Sequence, residues 1–174
     1  MSIDESVSYG LIQNQPENKN TLQNTRFRML IRKLPNTTYF LQSANLPGLD
    51  ISDVRQHTLF NTVHRPGGEV THNPVTVNFI VDEDISNWKE IRNWILQCSN
   101  YKDFTEYRPP AQHFSDEITL TILTNTHNIT HKAVFSNAFP IALSDLNFTT
   151  IASGDEILTA SMQFRFTTYD INVE

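Results

Sequence analysis

Residues 74–98 read PVTVNFIVDEDISNWKEIRNWILQC, and a change of period inside that stretch decides the fold. Val75, Val77, Phe79 and Val81 alternate with Thr76, Asn78 and Ile80. That is the two-residue period of a strand with one face in a core. Pro74 opens the strand and Asp82-Glu83-Asp84 closes it. Beyond the acidic run the apolar residues take helical spacing. Trp88, Ile91, Ile95 and Cys98 fall at i, i+3, i+7 and i+10, and Trp94 widens the stripe. The spacing predicts a helix over residues 86–99, capped by Asp84 or Ser86, with the acidic run at the positive end of its dipole. This core stripe lays the helix across an open sheet face.

Toward the N-terminus, Phe27, Met29 and Ile31 alternate with Arg26, Arg28 and Leu30, which predicts a half-buried strand. Leu34-Pro35-Asn36-Thr37 reads as a turn and residues 39–44 as a second strand, so the two are expected to form a hairpin. Leu46-Pro47-Gly48 then breaks the ladder, because Pro47 has no N–H to give and Gly48 admits a sharp turn. Residues 50–74 hold strand-like pieces at 54–63 and 69–72, joined by His64-Arg65-Pro66-Gly67-Gly68. Their apolar content is thin: Val54, Leu59, Phe60, Val63 and Val70. A two-stranded ribbon this polar is not stable alone. It is expected to project as an arm, with Arg65 among its contact residues, and its free edges invite association.

Toward the C-terminus, Ile118, Leu120 and Ile122 alternate with Glu117, Thr119 and Thr121. Residues 126–130 read as a turn, 132–139 as a strand ended by Pro140, 146–151 as a short strand and Gly154-Asp155 as another turn. Residues 158–169 are expected to form the longest strand. Its Ala160, Met162, Phe164 and Phe166 face one way, and Thr159, Ser161, Gln163 and Arg165 the other. The sum is a mainly β chain of seven or eight strands: a β-sandwich or partly open barrel with one flanking helix and a long projecting hairpin. Residues 1–24 are a polar extension, QNQPENKNTLQ over 13–23, broken by the small cluster Tyr9-Gly10-Leu11-Ile12. The β domain is assigned to 25–174.

A chain of 174 residues with 39% apolar side chains suits one domain with an arm or a tail. The net charge of −6 argues against a protein that grips nucleic acid by neutralising phosphates. It leaves room for one that lets nucleic acid pass. A single cysteine excludes an intrachain disulfide and a cysteine-based zinc site. No window approaches the ~20 apolar residues of a membrane helix, and the N-terminus has no secretory pattern.

Candidate chemistry is sparse. His127-x3-His131 would place two rings on one face of a helix, but it falls in a predicted turn, so polar turn residues are the plainer reading. His57, His64 and His72 lie on the arm, and His113 in a long connection. Cys98 closes an apolar stripe and reads as a buried hydrophobe rather than a nucleophile. The carboxylates at 82–84 lack further ligands at calcium-loop spacing. Arg26, Arg28 and Arg32 make a basic stripe with few aromatics beside it. No phosphate loop, nucleophile elbow or metalloprotease motif occurs. The chain reads as a building block and not an enzyme, with no cofactor and no metal.

The order of features over about residues 26–168 resembles the tail tube protein family of contractile-tailed bacteriophages. The matching residues are Ala44-Asn45-Leu46-Pro47, then an arm, then Val75-Thr76-Val77-Asn78-Phe79, then Asp82-Glu83, then a helix carrying Trp88 and Trp94. Phe135–Pro140 and a long final strand complete it. The resemblance implies hexameric rings whose inner sheets join into one β-barrel around a channel. It implies stacked rings, an arm reaching neighbouring subunits, and partners in the sheath, baseplate and tail terminator proteins. Genomic DNA would pass the channel without specific binding, in a virion tail assembled in the host cytoplasm. Candidate channel-facing residues are Glu117, Thr119 and Thr121, and Thr159, Ser161 and Gln163. A repeating tube subunit is the leading expectation. The alternatives are an end ring of the same fold, as initiator or terminator, and a tube component like those of type VI secretion.

Overall fold

The computed structural model describes residues 19–99, 118–151 and 156–173. The chain runs β1 (Phe27–Ile31), α1 (Pro35–Tyr39), β2 (Leu41–Ala44), β3 (Leu49–His57), β4 (Thr62–His72), β5 (Val75–Ile80) and α2 (Ser86–Gln97). It continues with β6 (Ile118–Leu123), β7 (Ile129–Ser136), β8 (Phe139–Leu143), β9 (Thr159–Arg165) and β10 (Thr168–Val173). Two four-stranded antiparallel sheets form, in the orders β1-β6-β7-β10 and β2-β5-β9-β8, and β3-β4 makes a separate two-stranded ribbon.

The alternation read from sequence places the core between the two sheets. Met29, Ile31, Ile118, Leu120, Ala133 and Phe135 point in from the first, and Val75, Val77, Phe79, Ala160, Met162 and Phe164 from the second. Burying each large side chain is worth roughly 1.5–3 kcal/mol. The helix stripe joins this core: Ile91 and Trp94 are buried, while Trp88, Ile95 and Cys98 are partly buried against it. The Trp94 ring lies 5.8 Å from that of Phe164. Trp88 Nε1 donates to the Ser144 carbonyl at 3.2 Å, tying the helix to the segment after β8.

Several expectations change. Residues 35–39 form a short helix and not a turn leading to a strand. Pro35 suits its first turn, and the Thr38 hydroxyl donates to Leu34 O at 2.9 Å. This helix carries the chain from one sheet to the other, so β1 and β2 never pair; β1 pairs with β6, and β2 with β5. The final strand is likewise two. β9 ends at Arg165, the chain turns at Phe166-Thr167, and β10 joins the other sheet, with Thr167 N–H donating to Ser136 O at 3.0 Å. Pro140 lies inside β8 and does not end a strand; β8 is an edge, where a missing N–H is tolerated. Residues 146–151 form no strand, and Phe148 and Ile151 are exposed there.

The helix start also differs. Neither Asp84 nor Ser86 caps it. Ile85 holds the cap position in the left-handed region at φ 57°, a conformation that a β-branched residue adopts only when its surroundings impose it. Asn87, fully buried, supplies that constraint. Its Nδ2 donates to Ile80 O at 2.8 Å, and its own N–H reaches Asp82 Oδ1 at 3.2 Å, clamping the helix to the end of β5. Gly48 has no positive φ, so the Leu46-Pro47-Gly48 turn does not use glycine's freedom.

Candidate subunit interfaces

The ribbon turn lies at residues 58–61, not at His64–Gly68. Thr58 N–H donates to Asn61 O at 2.8 Å, the Thr58 hydroxyl donates to the same carbonyl at 2.6 Å, and Thr62 N–H donates to Asn61 Oδ1 at 2.8 Å. This closed turn presents Leu59 and Phe60, 96% and 98% exposed, at the tip of the arm. β4 runs straight through Pro66-Gly67-Gly68, the stretch that reads as a loop from its composition. Gly67 serves a bulge instead. The register passes from Ile51↔Val70 to Asp53↔Pro66, so Ser52 alone faces Gly67, Gly68 and Glu69. A Cβ on Gly67 would collide with the Ser52 hydroxyl and stand 2.8 Å from the Ser52 carbonyl oxygen.

Every residue of β3 is exposed, including Leu49, Ile51 and Val54, and so are Val63, Arg65 and Val70 on β4. The arm is fixed at its root. His72 stacks edge-on against Phe166 and Tyr169, at 5.3 and 5.8 Å. Arg165 donates to His72 O at 3.3 Å, Asn73 N–H to Gly48 O at 3.1 Å, and the Tyr169 hydroxyl to Pro47 O at 3.3 Å. Farther out, Asp53 Oδ2 receives His64 Nδ1 at 2.8 Å and Arg55 Nε at 3.4 Å. Both pairs are solvent-exposed and so add little stability.

The two outer sheet faces differ in charge. The strands of the β2-β5-β9-β8 sheet carry one charged residue, Arg165, at the end of β9. Cross-strand pairing sets Ser43, Asn78 and Ser161 in one row and Thr76, Gln163 and Ala142 in the next, with Thr159 opposite Ile80. On the other sheet, Arg28, Thr121, Lys132 and Asn172 form one row, and Leu30, Thr119, Val134 and Asp170 the next. The two sets of candidate channel residues therefore lie on opposite outer faces of the sandwich. Thr119 and Thr121 share a face with Arg28, Lys132 and Asp170; Thr159, Ser161 and Gln163 share one with hydroxyls, amides and Arg165. Glu117 lies outside the described residues.

A groove of about 690 Å³ beside β1 is bounded by Leu30, Tyr39, Gln42, Thr121, Arg28 and Lys132, and among the described residues no carboxylate or histidine lines it. No three histidines, cysteines or acids come together to hold a metal among the described residues. His127, in the left-handed region at φ 64°, sits in the β6–β7 turn against Arg26, while His131 lies within β7. His113 lies outside the described residues. Burial pushes the Cys98 thiol up, and nearby Lys33 pulls only partly against it, which disfavours the reactive thiolate.

Comparisons with known proteins agree with this architecture. The family described as phage tail tube protein matches residues 12–172. The tail tube terminator protein of Enterobacteria phage T4 is 27% identical over 159 residues, covering 87% of this chain and 89% of that protein. Among solved structures, the anti-feeding prophage tube-terminating cap superposes with a TM-score of 0.61 at 14% identity, covering 93% of this chain and 97% of its own. A chain of the sheath/tube terminator of an extracellular contractile injection system, in its extended state, gives 0.59 at 15% identity, covering 89% and 99%. A chain of the sheath–tube complex of such a system gives 0.57 at 16%, covering 90% and 94%. With the family match spanning nearly the whole sequence, the chain belongs to the phage tail tube protein family.

Proposed function

We propose that this tail-tube-type chain forms an end ring, a tube terminator, and not the repeating subunit that was the leading expectation. The observation that carries this reading is the likeness to the T4 tail tube terminator protein, which spans nearly nine-tenths of both chains. The fold shared with a terminating cap is consistent with it. In this reading six copies close into a ring, the projecting arm engages neighbouring copies, and the ring sits on the end of a tube inside a sheath. Leu59 and Phe60 at the tip, with Val54, Val63, Arg65 and Val70 along the ribbon, supply the arm contacts.

The outer face of the β2-β5-β9-β8 sheet suits the channel. Duplex DNA carries about one charge per 1.7 Å of axis. A wall bearing the Arg28 and Lys132 row would repeat two adjacent cations per subunit around the bore, only partly offset by Asp170 in the next row, and would hold phosphates. Thr159, Ser161 and Gln163, with Ser43, Thr76 and Asn78, offer hydroxyls and amides, and the one cation of this sheet, Arg165, stands at the end of β9 and donates to the His72 carbonyl, so most of this wall has no ion-pairing site for a polyanion. Such a wall suits passage of DNA without specific binding.

Electron microscopy and light scattering on the purified chain test the end-ring reading. Closed single rings with a central hole, which do not lengthen as concentration rises, support it. Long hollow tubes from this chain alone return it to the repeating subunit. A strict monomer at high concentration overturns both.

A further inference from the structure

The polar extension is pinned where it meets the body. Asn125 Nδ2 donates to Thr21 O at 3.4 Å, Arg26 N–H to Gln23 O at 3.3 Å, and Arg26 Nε to the Gln23 side-chain oxygen at 3.3 Å. Arg26 also contacts His127 of the β6–β7 turn. Residues 20–22 therefore lie beside Thr124, Asn125 and Thr126. Everything before Lys19 starts from this end of the β1-β6-β7-β10 sheet. The outward row of that sheet nearest to this end is Arg28, Thr121, Lys132 and Asn172. Thr121 is four residues from Asn125, at most about 13 Å along the chain.

The groove of about 690 Å³ opens on this row. Its size falls within the roughly 300–1,000 Å³ of sites that hold a ligand. Leu30 and Tyr39, 51% and 84% exposed, give it apolar surface, and Arg28 and Lys132 give it charge. Neither cation makes an ion pair among the described residues. Asp170 sits in the next row on β10, at the opposite edge of the sheet from β1, so it offsets Lys132 more than Arg28.

Residues 1–18 carry the complementary chemistry. They hold Asp4, Glu5 and Glu17 and no Lys, Arg or His, so their side chains sum to 0 − 3 = −3. Tyr9, Leu11 and Ile12 supply an apolar cluster next to the Asp4-Glu5 pair. From Thr21 to Ile12 is nine residues, a reach of up to about 30 Å, which spans the distance to the groove with chain to spare. A segment joined this closely to its target competes at a roughly millimolar effective concentration, which a separate molecule in dilute solution does not match.

We infer that residues 1–18 dock on their own chain, with Tyr9, Leu11 and Ile12 in the groove over Leu30 and Tyr39, and Asp4 and Glu5 against Arg28 and Lys132. The ion pairs are exposed and individually weak; burial of the apolar cluster supplies most of the affinity, and the charges set its place. The docked segment covers the Arg28–Lys132 row, which would otherwise offer adjacent cations to any polyanion. The inference does not require a ring, since groove and segment belong to one chain.

The test places a photo-crosslinking residue at Gln42, an exposed position lining the groove, in the full-length chain. Captured peptides are mapped in dilute samples, with the assembly state of the same samples read by light scattering. Capture of residues 1–18 within the same chain is expected, at a yield that does not change with protein concentration. Asp4→Asn with Glu5→Gln should lower that yield several-fold, and so should Arg28→Gln. Combining them should lower it no further than the acid variant alone, because both remove the same contact. Leu11→Ser with Ile12→Ser should lower it at least as much, while thermal unfolding shows the body of every variant still folded. Capture of residues 1–18 from another copy, seen as a crosslinked dimer whose yield rises with concentration, would overturn the inference. So would capture of other segments only, no capture, or a yield indifferent to these variants. A chain that proves monomeric defeats the ring reading and leaves this expectation unchanged, so the two failures are distinguishable.

Discussion

Phe79, Phe135 and Phe164 are at most 1% exposed, whereas Phe60 is 98% exposed. The same side chain serves the body and the arm in opposite ways. In the body, aromatics fill the space between two sheets of one chain, so the information for folding is complete within that chain. In the arm, Leu59 and Phe60 are almost wholly exposed, and Val54, Val63 and Val70 leave about half of their surface in water. In the proposed ring, that burial would come from other copies. The comparison implies that stability and assembly are separable in this protein.

The largest effect is expected from removing the arm. Asn73 N–H already donates to Gly48 O, so a short turn can replace residues 50–72 without opening the sandwich. The shortened chain should remain folded, with its thermal midpoint nearly unchanged, and should be monomeric at concentrations where the full chain forms rings. Normal assembly of the shortened chain would show that the arm is not an interface.

The converse is Phe79→Ala. It empties a fully buried position in the central core and is expected to cost about 3–5 kcal/mol. Denaturant unfolding measures this directly. Assembly should fall only in proportion to the folded fraction, which distinguishes the variant from arm variants at equal protein concentration.

Asn87→Ala sharpens the boundary between what sequence does and does not reveal. The alternation at 75–80 and the stripe at 88–98 are local periodicities, so the core strand and helix were legible. The helix start was not, because it depends on the buried Asn87 amide reaching back to Ile80 O, a tertiary contact with no periodic signature. A polar residue just inside an otherwise apolar helix stripe was the available signal. The same limit explains the lost hairpin between β1 and β2. Residues 39–44 have strand-forming side chains, but Pro35 and the Thr38 hydroxyl bonds favour a helical turn that sends them to the other sheet. In the arm, Gly67-Gly68 looked like a turn because glycine marks both turns and bulges, and only the partner strand distinguishes them. The candidate channel residues suffered similarly: period two gives the two faces of each strand, but not which sheet the strand joins. Asn87→Ala strands the Ile80 carbonyl and frees Ile85 from its constraint, so a loss of about 1–3 kcal/mol is expected in unfolding experiments.

Phe60→Ser isolates the tip. Because the ring is 98% exposed, stability should change by less than about 0.5 kcal/mol. Assembly should weaken measurably in sedimentation or light scattering. A stability loss as large as that of a core variant would mean that the tip folds back on the body.

The smallest effect concerns Cys98, at the end of the helix and on the border of the core. Burial raises its thiol pKa, the first cause, and Lys33 lowers it in partial opposition. The folded chain thus favours the neutral thiol more than the unfolded chain does. That preference contributes stability which is fully present below the ordinary thiol value of about 8.5. It is lost as pH rises through the higher value of the folded state, because the thiolate is then formed at a site that solvates it poorly. Alkylation of the native protein should accordingly be slow near neutral pH and accelerate at a higher pH than that of a free thiol, while the denatured chain reacts at the ordinary rate. The contribution is small, since the side chain is only partly buried, but its sign is definite. Arm variants should leave the alkylation profile unchanged, whereas Trp94→Ala, which opens the neighbouring core, should move it toward that of the unfolded chain.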